Sequence, residues 1–229
     1  MPKILCVFAC ALAAAALAPA PVRIILVGDS TVAPKNGWGP GFCNDVTAEV
    51  GCVNLARNGR STSSYRAEGS WDEVMALLRT KETYSATYVL IQFGHNDQPG
   101  KPGRSTDLVT EFPENLRRYV REVKATGGKP VLVTPLTRRS FKNGVLENTL
   151  GPWGDAAKKV AGEEGVPVLD LNTDSVAAVQ KMGPEEADTL ANPEFDHTHL
   201  GEKGAAVFGR MVADELTKAV PELRSYIKQ

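Results

Sequence analysis

Five short apolar runs, each followed by a helix-patterned segment, constrain this chain of 229 residues more than any other feature. The runs cover residues 22–27, 51–56, 88–93, 130–134 and 166–170. Short runs that are apolar on both faces suit strands buried on both sides, as in a parallel sheet. Between them, apolar residues recur at helical spacing, for example Phe112, Leu116, Tyr119, Val120 and Val123. Strand–helix alternation of this kind predicts an α/β fold: one parallel sheet with helices on both faces. Five strands suggest a flavodoxin-like order, 2-1-3-4-5. Helices are expected over 38–50, 71–78, 111–125, 153–164, 172–182 (with Asn172 as its cap) and 201–220. Loops are expected over 98–110 and 136–149, and irregular chain over 183–196. No repeat or linker divides residues 21–229, which read as a single domain.

The first residues differ in kind. Met1-Pro2-Lys3 precedes an apolar stretch and an alanine run to Ala18. One positive charge, an apolar core and small residues predict a secretory signal peptide over residues 1–20, cleaved after Ala18 or Ala20. The alternative is an uncleaved anchor, against which stand the shortness of the segment and Pro19. The expected product is secreted or periplasmic, with no membrane attachment after cleavage. Cys6 and Cys10 would leave with the signal, and Cys43 and Cys52 would remain. In an exported chain this pair can form a disulfide that closes a small loop, or can be two buried thiols. A net charge of −1 carries no footprint of nucleic-acid binding.

The first apolar run stops abruptly in Gly28-Asp29-Ser30. In open parallel sheets, ligands sit at the C-terminal edge of the strands. A serine delivered there can be a nucleophile, or can simply cap a helix or fill a turn. Three other loops reach the same edge. One holds Gly59, within Arg57-Asn58-Gly59-Arg60-Ser61. The second holds Asn96, within Gly94-His95-Asn96-Asp97. The last is Asp196-His197-Thr198-His199. A serine hydroxyl needs a base, and the base needs a partner that holds its tautomer. Asp196 and His199, three residues apart on one turn, can supply both. The backbone N–H groups of Ser30 and Gly59 and the Asn96 amide are suitable donors for a developing oxyanion. Each has a plainer reading: Gly59 as a turn, Asn96-Asp97 as turn and cap, His95 as structural, and His197 and His199 with Asp196 as metal ligands.

Taken in order, Gly28-Asp29-Ser30, Gly59, Gly94-His95-Asn96-Asp97 and Asp196-x-x-His199 resemble the four blocks of the SGNH (GDSL-type) hydrolases. The first block reads Gly-Asp-Ser-Thr rather than Gly-Asp-Ser-Leu. With Asn-Gly-Arg-Ser-Thr-Ser-Ser-Tyr, Phe-Gly-His-Asn-Asp and Asp-His-Thr-His-Leu, it is similar to the rhamnogalacturonan acetylesterase branch. The resemblance implies a three-layer α/β/α sandwich with no metal or organic cofactor. It implies Ser30 as nucleophile, His199 as general base, Asp196 as its orienter, and Ser30, Gly59 and Asn96 as the oxyanion hole. His197 is expected to play a supporting part.

The implied reaction is removal of acetyl groups from a pectic polysaccharide or oligosaccharide, with xylan deacetylation, or a lysophospholipase or thioesterase activity, as alternatives. A non-catalytic carbohydrate-binding domain is the reading from another class. Such a substrate carries galacturonate carboxylates. Arg57, Arg60, Arg66, Arg104, Arg138, Arg139 and Lys142 fall in or near the loops of the expected edge. Arg60, Arg138, Arg139 and His197 are therefore candidate substrate ligands, the alternative being a solvated basic rim. Trp38, Trp71 and Trp153 can stack on sugar rings or pack into the core.

Overall fold

A computed structural model describes residues 21–80, 84–194 and 196–229. The expected signal peptide, residues 1–20, lies outside the described residues. The strands are β1 (Val22–Gly28), β2 (Val50–Asn54), β3 (Ala86–Gln92), β4 (Lys129–Val133), β5 (Phe141–Lys142), β6 (Val145–Leu146) and β7 (Val168–Leu169). Five of them form one parallel sheet in the order β2-β1-β3-β4-β7. With β7 as the fifth strand of that sheet, this is the expected 2-1-3-4-5 order.

The central strand shows why the sheet needs helices on both sides. All seven residues of β1 are buried. Successive side chains point to opposite faces of a strand, so Ile24 and Leu26 enter one core while Ile25 and Val27 enter the other. The first core is closed by α1 (Gly39–Asp45), α6 (Leu171–Asp188) and α7 (Glu202–Ala219), through Phe42, Val179, Phe208, Val212 and Leu216. The second is closed by α3 (Ser70–Arg79), α4 (Glu111–Ala125) and α5 (Gly151–Glu164), through Val74, Tyr119, Val120 and Val160. A short α2 (Ser64–Ala67) follows the loop after β2. All three tryptophans belong to these cores. Trp38, Trp71 and Trp153 are buried and present no face to a sugar. Of the described helices, none is long and apolar enough to cross a membrane.

Local chemistry moved some boundaries. The helix expected over 38–50 ends at Asp45, because Val46 turns extended and pairs with Ile227. The helix expected over 172–182 starts one residue earlier. Asp170, not Asn172, is its cap, accepting from the Thr173 N–H. Asn172 is spent elsewhere: its Nδ2 donates to the Pro135 carbonyl and its Oδ1 accepts from Asn148. Past Gly183, which breaks the helical geometry, Pro184 opens a further helical piece to Asp188 where irregular chain was expected. The expected basic loop 136–149 contains the β5–β6 hairpin. Asn143 and Gly144, both at positive φ, form its turn. Cys43 in α1 and Cys52 in β2 are joined as a disulfide, their Cα atoms 5.6 Å apart.

Candidate active site

The site begins where β1 stops. A Cβ at position 28 would lie 2.5 Å from the Gln92 carbonyl oxygen, so only glycine lets β1 run this close to β3 as the chain turns. Asp29 builds the turn. Its Oδ1 accepts from the Thr31 N–H (2.9 Å) and hydroxyl (2.7 Å), and its carbonyl accepts from Val32 and Ala33. Thr31 is held in turn by Gln92, and Gln92 by the Trp38 indole N–H. Ser30 is therefore presented by a buried turn that Asp29 Oδ1, Thr31 and Gln92 tie together, a support that a side chain on a flexible loop would lack.

The candidate base, His199, arrives from the far end of the chain. Ser30 Oγ lies 2.9 Å from His199 Nε2, and His199 Nδ1 lies 2.7 Å from Asp196 Oδ2. The three-residue spacing works because Asp196 also caps its own turn. Its Oδ1 accepts from the Thr198 N–H (2.7 Å) and the His199 N–H (2.9 Å). Burial raises the Asp196 carboxyl, but these N–H donors and the His199 ring outweigh it and hold the group below the ordinary aspartate range. Asp196 is thus ionised across neutral pH, as a partner for an imidazolium must be.

Two of the donors expected for an oxyanion lie on the loops that follow the strands on either side of β1. Gly59, after β2, sits at φ +78°, a conformation that favours glycine. Asn96, after β3, donates from Nδ2 to the Arg60 carbonyl (3.1 Å), which leaves its second N–H free to meet a ligand. Arg104 Nη1 donates to both the Gly59 carbonyl and Asn96 Oδ1, each at 3.3 Å. Asp97 fastens the two loops together, its Oδ1 accepting from the Thr62 N–H (3.0 Å), the Thr62 hydroxyl and the Thr106 hydroxyl. Burial pushes the Asp97 carboxyl up to about 7, and its Oδ2 has no partner.

His95 is buried beneath the turn, its Nδ1 3.5 Å from Asp29 Oδ2. Burial lowers its pKa below the ordinary histidine value despite the Asp29 charge, so it is neutral at pH 7. For Asp29, burial acts upward while His95 and the Thr31 donors act downward and prevail. His197 turns away from Ser30, exposed, with Nδ1 3.4 Å from Asp188 Oδ1. It contributes its carbonyl, which accepts from the Arg139 N–H (2.7 Å). Among the described residues, no group of three or more His, Cys, Asp and Glu could hold a metal ion.

Two expected substrate ligands are placed otherwise. Arg139 is 1% exposed and cannot reach a polymer. Its Nη2 donates to the carbonyls of Asp196 and His199, both at 2.6 Å, so it clamps the loop that carries the base. Sequence could not reveal this, since the partners lie 57 and 60 residues away. Arg60 is at the surface but already paired, its Nε 2.6 Å from Glu68 Oε2. Arg57 and Arg66 are likewise held by Glu73 and Glu122. Arg138 is half-buried and donates to the Thr149 hydroxyl (2.9 Å).

The profile of the GDSL-like Lipase/Acylhydrolase family matches residues 26–207. A rhamnogalacturonan acetylesterase of Bacillus subtilis, RhgT, is 34% identical over 227 residues, covering 90% of this chain and 94% of its own. The crystal structure of protein YXIM from the same organism superposes with a TM-score of 0.74 at 25% identity, over 87% of this chain and 57% of that one. The acetylxylan esterase Axe2 of Geobacillus stearothermophilus shares the fold, with a TM-score of 0.63 at 21% identity over 85% of this chain and 93% of its own.

Proposed function

The chain belongs to the GDSL-like lipase/acylhydrolase family, and from that premise we propose that it is a serine esterase removing O-acetyl groups from a rhamnogalacturonan-type polysaccharide. The observation that carries the chemistry is the unbroken contact from Ser30 Oγ through His199 to Asp196, at 2.9 and 2.7 Å. Ser30 Oγ attacks the acetyl carbonyl carbon as His199 Nε2 takes its proton. Asp196 holds the ring and stabilises the imidazolium. The tetrahedral oxyanion is met by the N–H groups of Ser30 and Gly59 and the free N–H of Asn96. Collapse expels the sugar oxygen, which receives the proton from His199. Water then repeats the sequence on the acetyl-serine and frees acetate.

The substrate rests on a different kind of support. A relative 34% identical over nearly its whole length is named a rhamnogalacturonan acetylesterase. A structural neighbour is named an acetylxylan esterase, which makes xylan the second polymer to test. Acetate release from acetylated rhamnogalacturonan, homogalacturonan and xylan, side by side, decides among them. Release confined to xylan would overturn the pectic assignment and leave the esterase standing. Preference for long-chain acyl esters would favour a lysophospholipase or thioesterase. A serine-directed covalent probe separates all of these from a carbohydrate-binding domain, which would not label at Ser30. Export is part of the same reading, and N-terminal sequencing of the mature protein tests cleavage after Ala18 or Ala20.

A further inference from the structure

Three cations at the oxyanion edge of the site have no carboxylate partner among the described residues. The loop after β3, which carries two of them, is pinned at both ends. Thr106 N–H donates to the Asp97 carbonyl (2.9 Å), and Gln98 Nε2 donates to the Thr149 carbonyl (2.9 Å). Between these anchors, the N–H groups of Arg104 and Ser105 both donate to the Lys101 carbonyl, which places Lys101 and Arg104 on one turn. Arg104 leans onto Gly59 and Asn96. Arg138 reaches the same place from the loop after β4, through the hydroxyl of the same Thr149 that Gln98 holds. The Lys101 ammonium lies within the fields of both arginines: burial first, then Arg138 and Arg104, hold it below its ordinary pKa.

The neighbouring arginines behave differently. Arg57, Arg60 and Arg66 each meet a glutamate. Among the described residues, Lys101, Arg104 and Arg138 meet none. The carboxylate whose field reaches Lys101 and Arg138 is Asp29, which is fully buried and already engaged by Thr31 and His95. Like charges gathered without counter-ions cost stability, so an unpaired set beside a nucleophile points to an anionic ligand. Two guanidiniums and an ammonium suit a carboxylate, with a fork for its two oxygens and a mobile point charge beside it. Resting on the acetylesterase reading above, we infer that Lys101, Arg104 and Arg138 receive a carboxylate of the sugar chain that bears the acetyl ester.

The test compares an acetylated uronic-acid oligosaccharide with its methyl-esterified form, which carries the same acetyl groups and no charge. Wild-type kcat/KM, read as acetate release, should favour the free acid by about tenfold or more, the return on about 1.4 kcal/mol of added binding. The preference should fall toward unity in Lys101→Gln/Arg138→Gln and persist in Arg118→Gln, which removes an exposed cation from α4. Raising the salt should erode the wild-type preference and leave the methyl ester's rate unaltered. Acetate release from both forms without preference, or a preference that survives the double variant, would overturn the inference and leave the acetylesterase reading intact. No release from either form would overturn both.

Discussion

Replacing Arg139 with methionine tests whether the catalytic loop is held by a buried charge. The side chain is 1% exposed, and Nη2 spans the carbonyls of Asp196 and His199 at 2.6 Å each. Two charge-assisted hydrogen bonds are each worth about 1.5–3 kcal/mol. Against them stands the desolvation of the guanidinium, about several kcal/mol. Its Nε and Nη1 have no partners, and burial lowers its pKa to about 10. The two effects largely cancel, so the net loss of stability should be only about 1–3 kcal/mol, or about 3–10 °C in Tm for a chain of this size. Activity should suffer more. The clamp sets the position of His199 against Ser30, and a displacement of about 1 Å is worth about a hundredfold in rate. Kinetics on a small acetyl ester should therefore show kcat down about a hundredfold with KM little changed, Arg139→Lys recovering part of it. A Tm loss of the expected size with kcat within about twofold of wild type would refute the clamp and leave Arg139 a structural residue.

Other expectations follow from the same geometry. His199→Ala should abolish ester hydrolysis, while His197→Ala should keep a substantial fraction, since its ring faces Asp188 and only its carbonyl joins the clamp; equal loss would erase the distinction. Asp97 titrates near 7 when folded and near 3.8 as an isolated side chain, so the folded state binds the extra proton and stability should fall as pH rises between those values. Chemical denaturation at pH 5 and pH 8 should show that decline in wild type and much less of it in Asp97→Asn. Glu215, nearly buried in α7 with Oε1 unpartnered, is pushed up to about 8 by burial and by Asp174 and Asp170. By the same sign it weakens the fold as pH climbs from about 4.5 through 8, so Glu215→Gln should raise Tm at pH 8.5 and change it little at pH 4.

Much of this was legible in the sequence because the deciding interactions are local or periodic. Apolar runs mark where the five strands of the sheet lie, with ends that differ by up to two residues. Asp196 and His199 could be paired from their spacing alone, because one turn brings them together. What escaped depends on distant partners. Nothing near Arg60 or Arg139 distinguishes a surface ion pair from a buried clamp; Glu68 and the Asp196 loop make the difference. Asn172 looked like a cap and is one by type, but Pro135 and Asn148 claim its side chain and Asp170 takes the role. The Asn143-Gly144 dipeptide is a hairpin signal, here between Phe141-Lys142 and Val145-Leu146, and is masked by the basic residues around it. Asp29 reads as a turn residue that helps to position the serine, and its Oδ1 does so by accepting from the Thr31 N–H and hydroxyl.

The contact between Ser30 and His199 bridges 169 residues of chain. Ser30 follows the first strand of the sheet, and His199 leads into α7, which packs against α1. There Gly41 and Gly209 allow backbones to meet so closely that a Cβ at either would overlap the other helix. Ester hydrolysis therefore reports on the docking of α7 against α1. Activity cannot precede the seating of α7, and a nascent chain that stops short of His199 carries a serine with nothing to take its proton.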